Sequence, residues 1–353
     1  MAPGSLAGAG ELIRETAPAH RYAIITDDVV GPLYAARVAA SLGDARVQVL
    51  TIPTGEKHKT RESWALLTDR LLEAGFGRDT AVVALGGGVV GDLAGFVAAT
   101  FMRGVPVVQL PTTLLAMIDA SVGGKTGVDT PAGKNLVGAF HPPALVLSDP
   151  TVLTTLPAEQ LRSGLAEAIK HGVITDESYF ERTVAELPAL LSRPAGPEML
   201  GLIARSIEIK AEIVARDERE GGIRKTLNFG HTLGHAIESE SGYRLLHGEA
   251  VAIGMVLESV LAEREGIAES GTARRVRAAV ERAGLPTERP SEMEPARLVA
   301  VTRSDKKARR GQAEFALPRR VGAMAGAETD WAVRIDEDAV LAALSIKNGA
   351  IGQ

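Results

Sequence analysis

"VVALGGGVVGDLAGFVA" (residues 82–98) decides the fold class. It starts as a short apolar run, turns through Gly86, Gly87 and Gly88, and continues with small and apolar residues at helical spacing. A strand feeding a glycine turn and then a helix is half of a βαβ unit, and Gly86, Gly88 and Gly91 satisfy G-x-G-x-x-G. Glycines at such a turn let a phosphate approach the backbone and meet the N–H groups that open the helix. Two features depart from an ordinary dinucleotide fingerprint. The loop follows the third expected strand rather than the first. The acidic residue expected about twenty positions later is missing, since "PVVQLPTTLL" (106–115) fills that window. Phosphate or dinucleotide binding and a plain strand–helix turn therefore both stay open on the motif alone. If NAD binds here its ribose is held from elsewhere, and "TGEKHK" (54–59) offers Glu56 as acceptor and Lys59 as donor.

Outward from this loop, "YAIIT" (22–26), "VQVLTI" (47–52), "AVVAL" (81–85), "VPVVQL" (105–110) and "ALVLS" (144–148) read as strands, being short, apolar and rich in Val and Ile. Amphipathic stretches separate them, such as "TRESWALLTDRLLEAG" (60–75), which puts Trp64, Leu67, Leu71 and Leu72 on one helical face. That alternation predicts a parallel sheet covered on both faces. Beyond about residue 155 strand signals fade. "PAEQLRSGLAEAIKHG" (157–172) reads as a helix opened by Pro157 and closed by Gly172, and helical periodicity returns over 200–217, 228–240, 248–265 and 271–283. The expectation is an α/β parallel-sheet nucleotide-binding domain over 1–155 and an all-α domain over 156–353, with a cleft between them as the default site.

Composition narrows the function classes. The chain has 353 residues, 45% of them hydrophobic and 24% charged, with no apolar run long enough to span a bilayer. The start, "MAPGSLAGAGELIRE", lacks the pattern of a secretion signal, so the expected location is cytoplasmic. No cysteine is present, which excludes disulfides, thiolate metal sites and a cysteine nucleophile, and any metal must sit on His, Asp or Glu. A net charge of −5 without a basic block argues against nucleic acid as partner.

Two further stretches carry chemistry. "TTLLAMIDASVGGKTGVDTPAGKNLVGAFHPP" (112–143) gathers Asp119, Lys125, Lys134 and Asn135 in a glycine-dense loop, either an anion grip or a solvated loop. "GLAEAIKHG" (164–172) sets Glu167 and Lys170 three apart on one helical face, flanked by Leu165, Ala166, Ala168 and Ile169, so both are expected to be buried and to need partners, for which a divalent cation would serve. "NFGHTLGHAIE" (228–238) contains His231 and His235 four apart, and His247 follows. Local spacing nominates His231 and His235 as a metal pair with Glu167 or Glu238 as third ligand. A single ligand beside a hydrogen-bonded core histidine fits the spacing equally well.

Taken in order, "GGGVVGD", "FMRGV", "LPTTLLAMIDASVGGKTGVD", "GKNLVGAFHPP", "GLAEAIKHG", "LNFGHTLGHAIE", "LLHGEAVAIGM" and "DKK" resemble the 3-dehydroquinate synthases, from about residue 54 to 320. The resemblance implies metal ligation by Glu167, His231 and His247, with His235 a polar residue near the substrate phosphate. It implies NAD contacts at Glu56, Lys59, Gly88, Val89, Val90, Gly91, Asp92, Thr112 and Thr113, with Lys125 and Lys134 beside them. Substrate contacts fall on Asp119, Lys125, Lys134, Asn135, Lys170, Lys210, Arg224, Asn228, Lys306 and Lys307. Arg103 is implied to cross a homodimer interface to the partner's substrate phosphate.

The implied reaction converts 3-deoxy-D-arabino-heptulosonate 7-phosphate to 3-dehydroquinate and phosphate. It runs by transient NAD oxidation, phosphate elimination, re-reduction and intramolecular aldol closure, with zinc or cobalt bound. The implied place is the shikimate pathway of aromatic amino acid biosynthesis. The nearest alternatives are the sister cyclases that make 2-epi-5-epi-valiolone or 2-deoxy-scyllo-inosose. Leu227, His235 and Arg224 match the dehydroquinate type, and Arg224 suits a carboxylate that the other substrates lack. A metal-dependent polyol dehydrogenase would release NADH, and a non-catalytic phosphosugar-binding protein would need no metal triad.

Overall fold

The computed structural model describes residues 1–304 and 313–345 and divides the chain into two compact units. The first comprises Met1–Leu156 with Arg193–Ile207, the second Pro157–Ser192 with Glu208–Gln353.

In the first unit, helices and strands alternate: α1 (Ala9–Thr16), β1 (Arg21–Asp27), α2 (Gly31–Ser41), β2 (Arg46–Ile52), α3 (Arg61–Glu73), β3 (Thr80–Gly86), α4 (Gly88–Thr100) and β4 (Val107–Pro111). A hairpin follows, β5 (Lys125–Thr130) with β6 (Gly133–Phe140), and then the short β7 (Leu145–Val146). The sheet runs β2-β1-β3-β4-β7 with every pairing parallel. Its apolar runs explain the order. All of β3 is buried, as a central strand covered on both faces must be, whereas β2 exposes alternate residues at the edge. Leu67, Leu71, Phe76, Val90, Leu93 and Val97 pack against the strands in one core. On α3, Trp64 joins this core but Leu72 is 53% exposed, because it lies a further 100° round the helix from Leu71.

The glycine-dense stretch read as a loop is largely the antiparallel hairpin β5–β6. "DTPAG" (129–133) makes its turn, a composition suited to tight turns.

The second unit is helical: α5 (Ala158–Thr175), α6 (Glu177–Ser192), the later part of α7 (Pro197–Arg216), α8 (His231–Glu240), α9 (His247–Arg264), α10 (Thr272–Arg282), α11 (Pro295–Ser304) and α12 (Glu337–Leu344). It also holds two antiparallel ribbons that the sequence reading did not single out. These pair β8 (Glu314–Phe315) with β11 (Val333–Arg334), and β9 (Pro318–Arg320) with β10 (Ala323–Met324). Gly172 does not end α5, which runs on to Thr175. A Cβ there would come within 2.7 Å of Phe180 Cβ, so the glycine admits α6 rather than stopping the helix. Among the described residues no helix is long and apolar enough to cross a membrane.

Candidate active site

The first unit collects charge at the C-terminal ends of its strands, the edge where open α/β sheets bind ligands. After β2, Glu56 and Lys59 share a short 3-10 turn. The Lys59 ammonium is buried and lies 2.7 Å from Glu56 Oε1, 3.4 Å from Asp92 Oδ2 and 3.7 Å from Asp129 Oδ1. Lys134 on β6 approaches the same Glu56 oxygen at 3.3 Å. Burial alone would raise the Glu56 carboxyl, but Lys59 and then Lys134 outweigh it and hold its pKa at about 2. Burial opposes the charge on Lys59, yet Asp92, Glu56 and Asp129 together push its pKa above the ordinary lysine value. Glu56 therefore stays an anion and a hydrogen-bond acceptor at any working pH.

Asp129 was not singled out in the sequence, and it ties this cluster to the hairpin. Its N–H donates to the Lys59 carbonyl at 2.7 Å, and its Oδ1 accepts from the Asn135 N–H at 2.9 Å, holding Asn135 at φ 54°. The Asp-Thr-Pro turn after β5 is the signal that could have revealed it.

Gly88, Val89 and Val90 form the first turn of α4, whose N–H groups lack intrahelical acceptors by position. Val90 has its side chain in the core and so offers only backbone. Gly91 answers a different need from phosphate approach: a Cβ on it would meet Gln109 Oε1 at 2.9 Å. Thr112 and Thr113 follow β4, with Thr112 N–H on the Gly86 carbonyl at 2.9 Å and Thr113 Oγ1 capping Ala116 N–H at 3.1 Å. Asp119 sits in a turn of π-helix, Ala116–Ala120, and Lys125 opens β5 exposed. Arg103 is exposed with φ 70°, in a left-handed corner shared with Met102.

In the second unit, Glu167 is fully buried on α5, as its apolar flanks demand. Its Oε2 pairs with Lys170, and its Oε1 lies 3.5 Å from His231 Nε2 and 3.5 Å from His247 Nε2. Each histidine is the first residue of its helix, α8 and α9. His231 donates Nδ1–H to the Phe229 carbonyl at 3.1 Å, which leaves its Nε2 as a lone pair, and His247 turns Nδ1 toward Glu238 Oε2 at 3.6 Å. Two ligands of a tetrahedral zinc at about 2.0–2.2 Å stand roughly 3.4 Å apart, so these separations and the anchored outer nitrogens suit a divalent metal. Burial opposes a proton on His247, but Glu167 and Glu238 outweigh it and raise the pKa to about 9 in the metal-free protein.

His235 lies one turn along α8 from His231, with ring centroids 5.2 Å from His231 and 5.9 Å from His247. Within this unit the ligand atoms form two close sets, Glu167–His231–His247 and His235–Glu238–His247. The locally nominated pair, His231 with His235, belongs to neither set. A side-chain-to-side-chain spacing along one helix could not show this, because the decisive carboxylate comes from α5.

Arg224 is buried and carried by the loop before α8. Asp217 builds that loop by accepting from the N–H groups of Gly221 at 2.9 Å, Gly222 at 2.7 Å and Arg224 at 3.0 Å. Burial would raise the Asp217 carboxyl, yet those three amides hold it below the usual range. Arg224 Nη1 donates to the Glu218 carbonyl, and Asn228 Nδ2 donates to Glu220 Oε1 at 2.5 Å. Lys210 is buried on α7. Lys306 and Lys307 lie outside the described residues.

Residues 49–163 match the 3-dehydroquinate synthase N-terminal family and residues 164–308 the 3-dehydroquinate synthase C-terminal family. The chain is 47% identical over 330 residues to a 3-dehydroquinate synthase of Synechococcus sp., covering 91% of this chain and 89% of that one. It is 46% identical to the one of Caulobacter vibrioides, covering 99% and 95%. Among solved structures it resembles a 2-epi-5-epi-valiolone synthase of Streptomyces hygroscopicus subsp. jinggangensis with NAD+ and Zn2+ bound, at TM-score 0.87 and 31% identity, covering 98% of this chain and 94% of that one. A 2-deoxy-scyllo-inosose synthase complexed with carbaglucose-6-phosphate, NAD+ and Co2+ gives TM-score 0.88 at 27% identity, covering 97% and 94%. With matches across both halves and near-half identity over most of its length, the chain belongs to the 3-dehydroquinate synthase family.

Proposed function

We propose that this protein is a 3-dehydroquinate synthase, a carbon–oxygen lyase that converts 3-deoxy-D-arabino-heptulosonate 7-phosphate to 3-dehydroquinate and phosphate. One observation carries the reading: in a chain of this family, Glu167 Oε1 sits 3.5 Å from Nε2 of both His231 and His247. When bound, NAD+ supplies a reversible hydride acceptor, and zinc or cobalt supplies a Lewis acid that lowers the pKa of a coordinated hydroxyl. Glu167, His231 and His247 hold the metal. Glu56, kept ionised by Lys59 and Lys134, accepts from ribose hydroxyls. The first-turn amides of α4, Gly88 to Val90, would take the pyrophosphate, with Asp92, Thr112 and Thr113 completing the cofactor set and Gly91 keeping the turn packed on Gln109.

The substrate carries a phosphate and a carboxylate, so its binding needs cations in fixed places. Arg224, locked at its backbone by Asp217, or Lys134 takes the carboxylate. Lys125 takes the phosphate, and His235 donates to it. Asp119, Asn135, Asn228, Lys170 and Lys210 hydrogen-bond the hydroxyls, and Lys306 and Lys307 add positive charge. Expulsion of phosphate leaves an anion that these cations stabilise, and the subsequent ring opening and aldol closure need only that the intermediate stay held. In a homodimer, which is part of the proposal, the partner subunit's Arg103 reaches this phosphate; its exposed, left-handed corner suits an outward role.

The test is phosphate release from chelator-treated protein given the heptulosonate phosphate, with NAD+ and zinc or cobalt added or withheld. Release that needs both, without net NADH, is expected. Turnover of a carboxylate-free sugar phosphate instead would make the protein a sister cyclase, and accumulating NADH would make it a dehydrogenase.

A further inference from the structure

Glu258 is a buried carboxylate on α9 to which the reaction assigns no role. It is fully buried, and its Oε2 accepts from the Gly230 N–H at 2.6 Å while its Oε1 accepts from the Leu233 N–H at 3.0 Å. These two amides bracket His231, the first residue of α8. The opening amides of a helix lack intrahelical acceptors and carry the positive end of its dipole, so a carboxylate placed there is both a cap and a counter-charge. Helix caps ordinarily come from the residue just before the helix; here position 230 is glycine with φ 79° and has no side chain to offer. The cap comes instead from another helix, 25 and 28 residues along the chain. The two helices meet without intervening side chains: a Cβ on Gly254 would fall 1.9 Å from the Gly230 carbonyl. The α8 start is therefore clamped to α9 by a carboxylate above and by backbone contact below.

We propose that Glu258 is a positioning residue for metal binding, fixing the first turn of α8 so that His231 Nε2 meets Glu167 Oε1 before any metal arrives. The α9 start is secured separately: Leu246 N–H donates to Glu249 Oε2 at 2.8 Å and Gly248 N–H to Ser163 Oγ at 3.0 Å, which places His247 independently of Glu258. Loss of the Glu258 clamp thus loosens one ligand of three while the other two stay set. The apo protein then samples His231 positions away from Glu167, and a metal must restore the turn as it binds. The carboxylate is needed at both oxygens, since an amide at this position would aim an NH2 group at one of the two N–H donors.

The inference rests on His231 being a ligand, and His231→Ala tests that separately. The experiment is titration of chelator-treated full-length protein with Co2+, read by its visible d–d absorption, for wild type, Glu258→Gln, His231→Ala and Asp176→Ala. Asp176 caps α6 through the Tyr179 N–H at 2.9 Å, and its removal controls for general loss of stability. Glu258→Gln is expected to weaken Co2+ binding about tenfold or more, with an altered spectrum, while Asp176→Ala lowers the melting temperature and leaves Co2+ affinity alone. If Glu258→Gln binds Co2+ as tightly as wild type, or if Asp176→Ala weakens binding equally, Glu258 is only a structural cap and the proposal is wrong. If His231→Ala binds Co2+ normally, it is the ligand reading that fails. Should Glu258→Gln not fold, amide hydrogen exchange in metal-free wild type decides: protected Gly230 and Leu233 support the clamp, and exchange as fast as in free peptide overturns it.

Discussion

Lys59→Met removes one ammonium and leaves a side chain of similar length, so the change is mostly one of charge. At an effective dielectric of about 20, the 2.7, 3.4 and 3.7 Å contacts to Glu56, Asp92 and Asp129 correspond to roughly 6, 5 and 4.5 kcal/mol of gross attraction. Most of that offsets the desolvation of an ammonium that is 3% exposed. The net loss on removing one partner of such a buried pair is about 3–5 kcal/mol, much of it from the carboxylates left facing one another. The pH dependence isolates the cause. In wild type the folded Glu56 pKa, about 2, lies below its ordinary 4.5, so its stabilisation is complete above 4.5 and is lost as pH falls toward 2. Lys59 is shifted upward from 10.5, so its share is complete below 10.5 and is lost only as pH rises through the folded value. Asp129 runs the other way: burial first, and then Glu56, hold its carboxyl above the ordinary 3.8, so it favours folding in acid and loses that share as pH rises through the folded value. Above that point and up to 10.5 the wild-type cluster is level. Without Lys59 the three carboxyls repel, their pKa values rise, and protonation relieves them. Urea unfolding followed by tryptophan fluorescence should show the full deficit at pH 8 and a deficit smaller by about 1 kcal/mol or more at pH 5. An equal deficit at both pH values, with an unchanged m-value, would mean that lost packing and not charge set the cost, and the electrostatic argument would be refuted.

Three other outcomes follow from the same geometry. His235→Ala should retain metal after dialysis, whereas His247→Ala and Glu167→Gln should lose it, with affinity lower by more than about a hundredfold; atomic absorption per chain reads this, and equal metal in the two histidine variants would contradict the ligand assignment. Asp217→Ala strands three backbone amides that position Arg224, so KM for the carboxylate substrate should rise about tenfold, equivalent to about 1.4 kcal/mol, with metal content unchanged. Asp129→Ala should weaken NAD+ binding in a fluorescence titration by about tenfold, and Asp129→Asn by less, because an amide oxygen can still accept the Asn135 N–H.

Much of the first unit was legible because a strand buried on both faces has to be a largely continuous apolar run, and β1, β3 and β4 are such runs, while the edge strand β2 alternates apolar with exposed residues. The hairpin β5–β6 was hidden for the opposite reason. It exposes much of β6 and is built on glycine and lysine, so its sequence carries no apolar alternation to read. Gly172 misled for a related reason, since a glycine can end a helix or admit a neighbour, and only the position of Phe180 tells which.

The sequence alone determined the strands of the parallel sheet and the main helices that follow them, the absence of thiol chemistry, the set of histidines and acids available, and, through its ordered motifs, the family. It did not determine which imidazoles share a carboxylate. His231, His235 and His247 have ring centroids all within 5.9 Å of one another, and local spacing favours the pair on α8. Only the packing of α5 against α9, and the clamp of α9 on the start of α8, aims Glu167 at His231 and His247 instead. Ligation depends on where atoms converge in space, and a carboxylate 64 residues before His231 becomes its neighbour only when the helices that carry them pack.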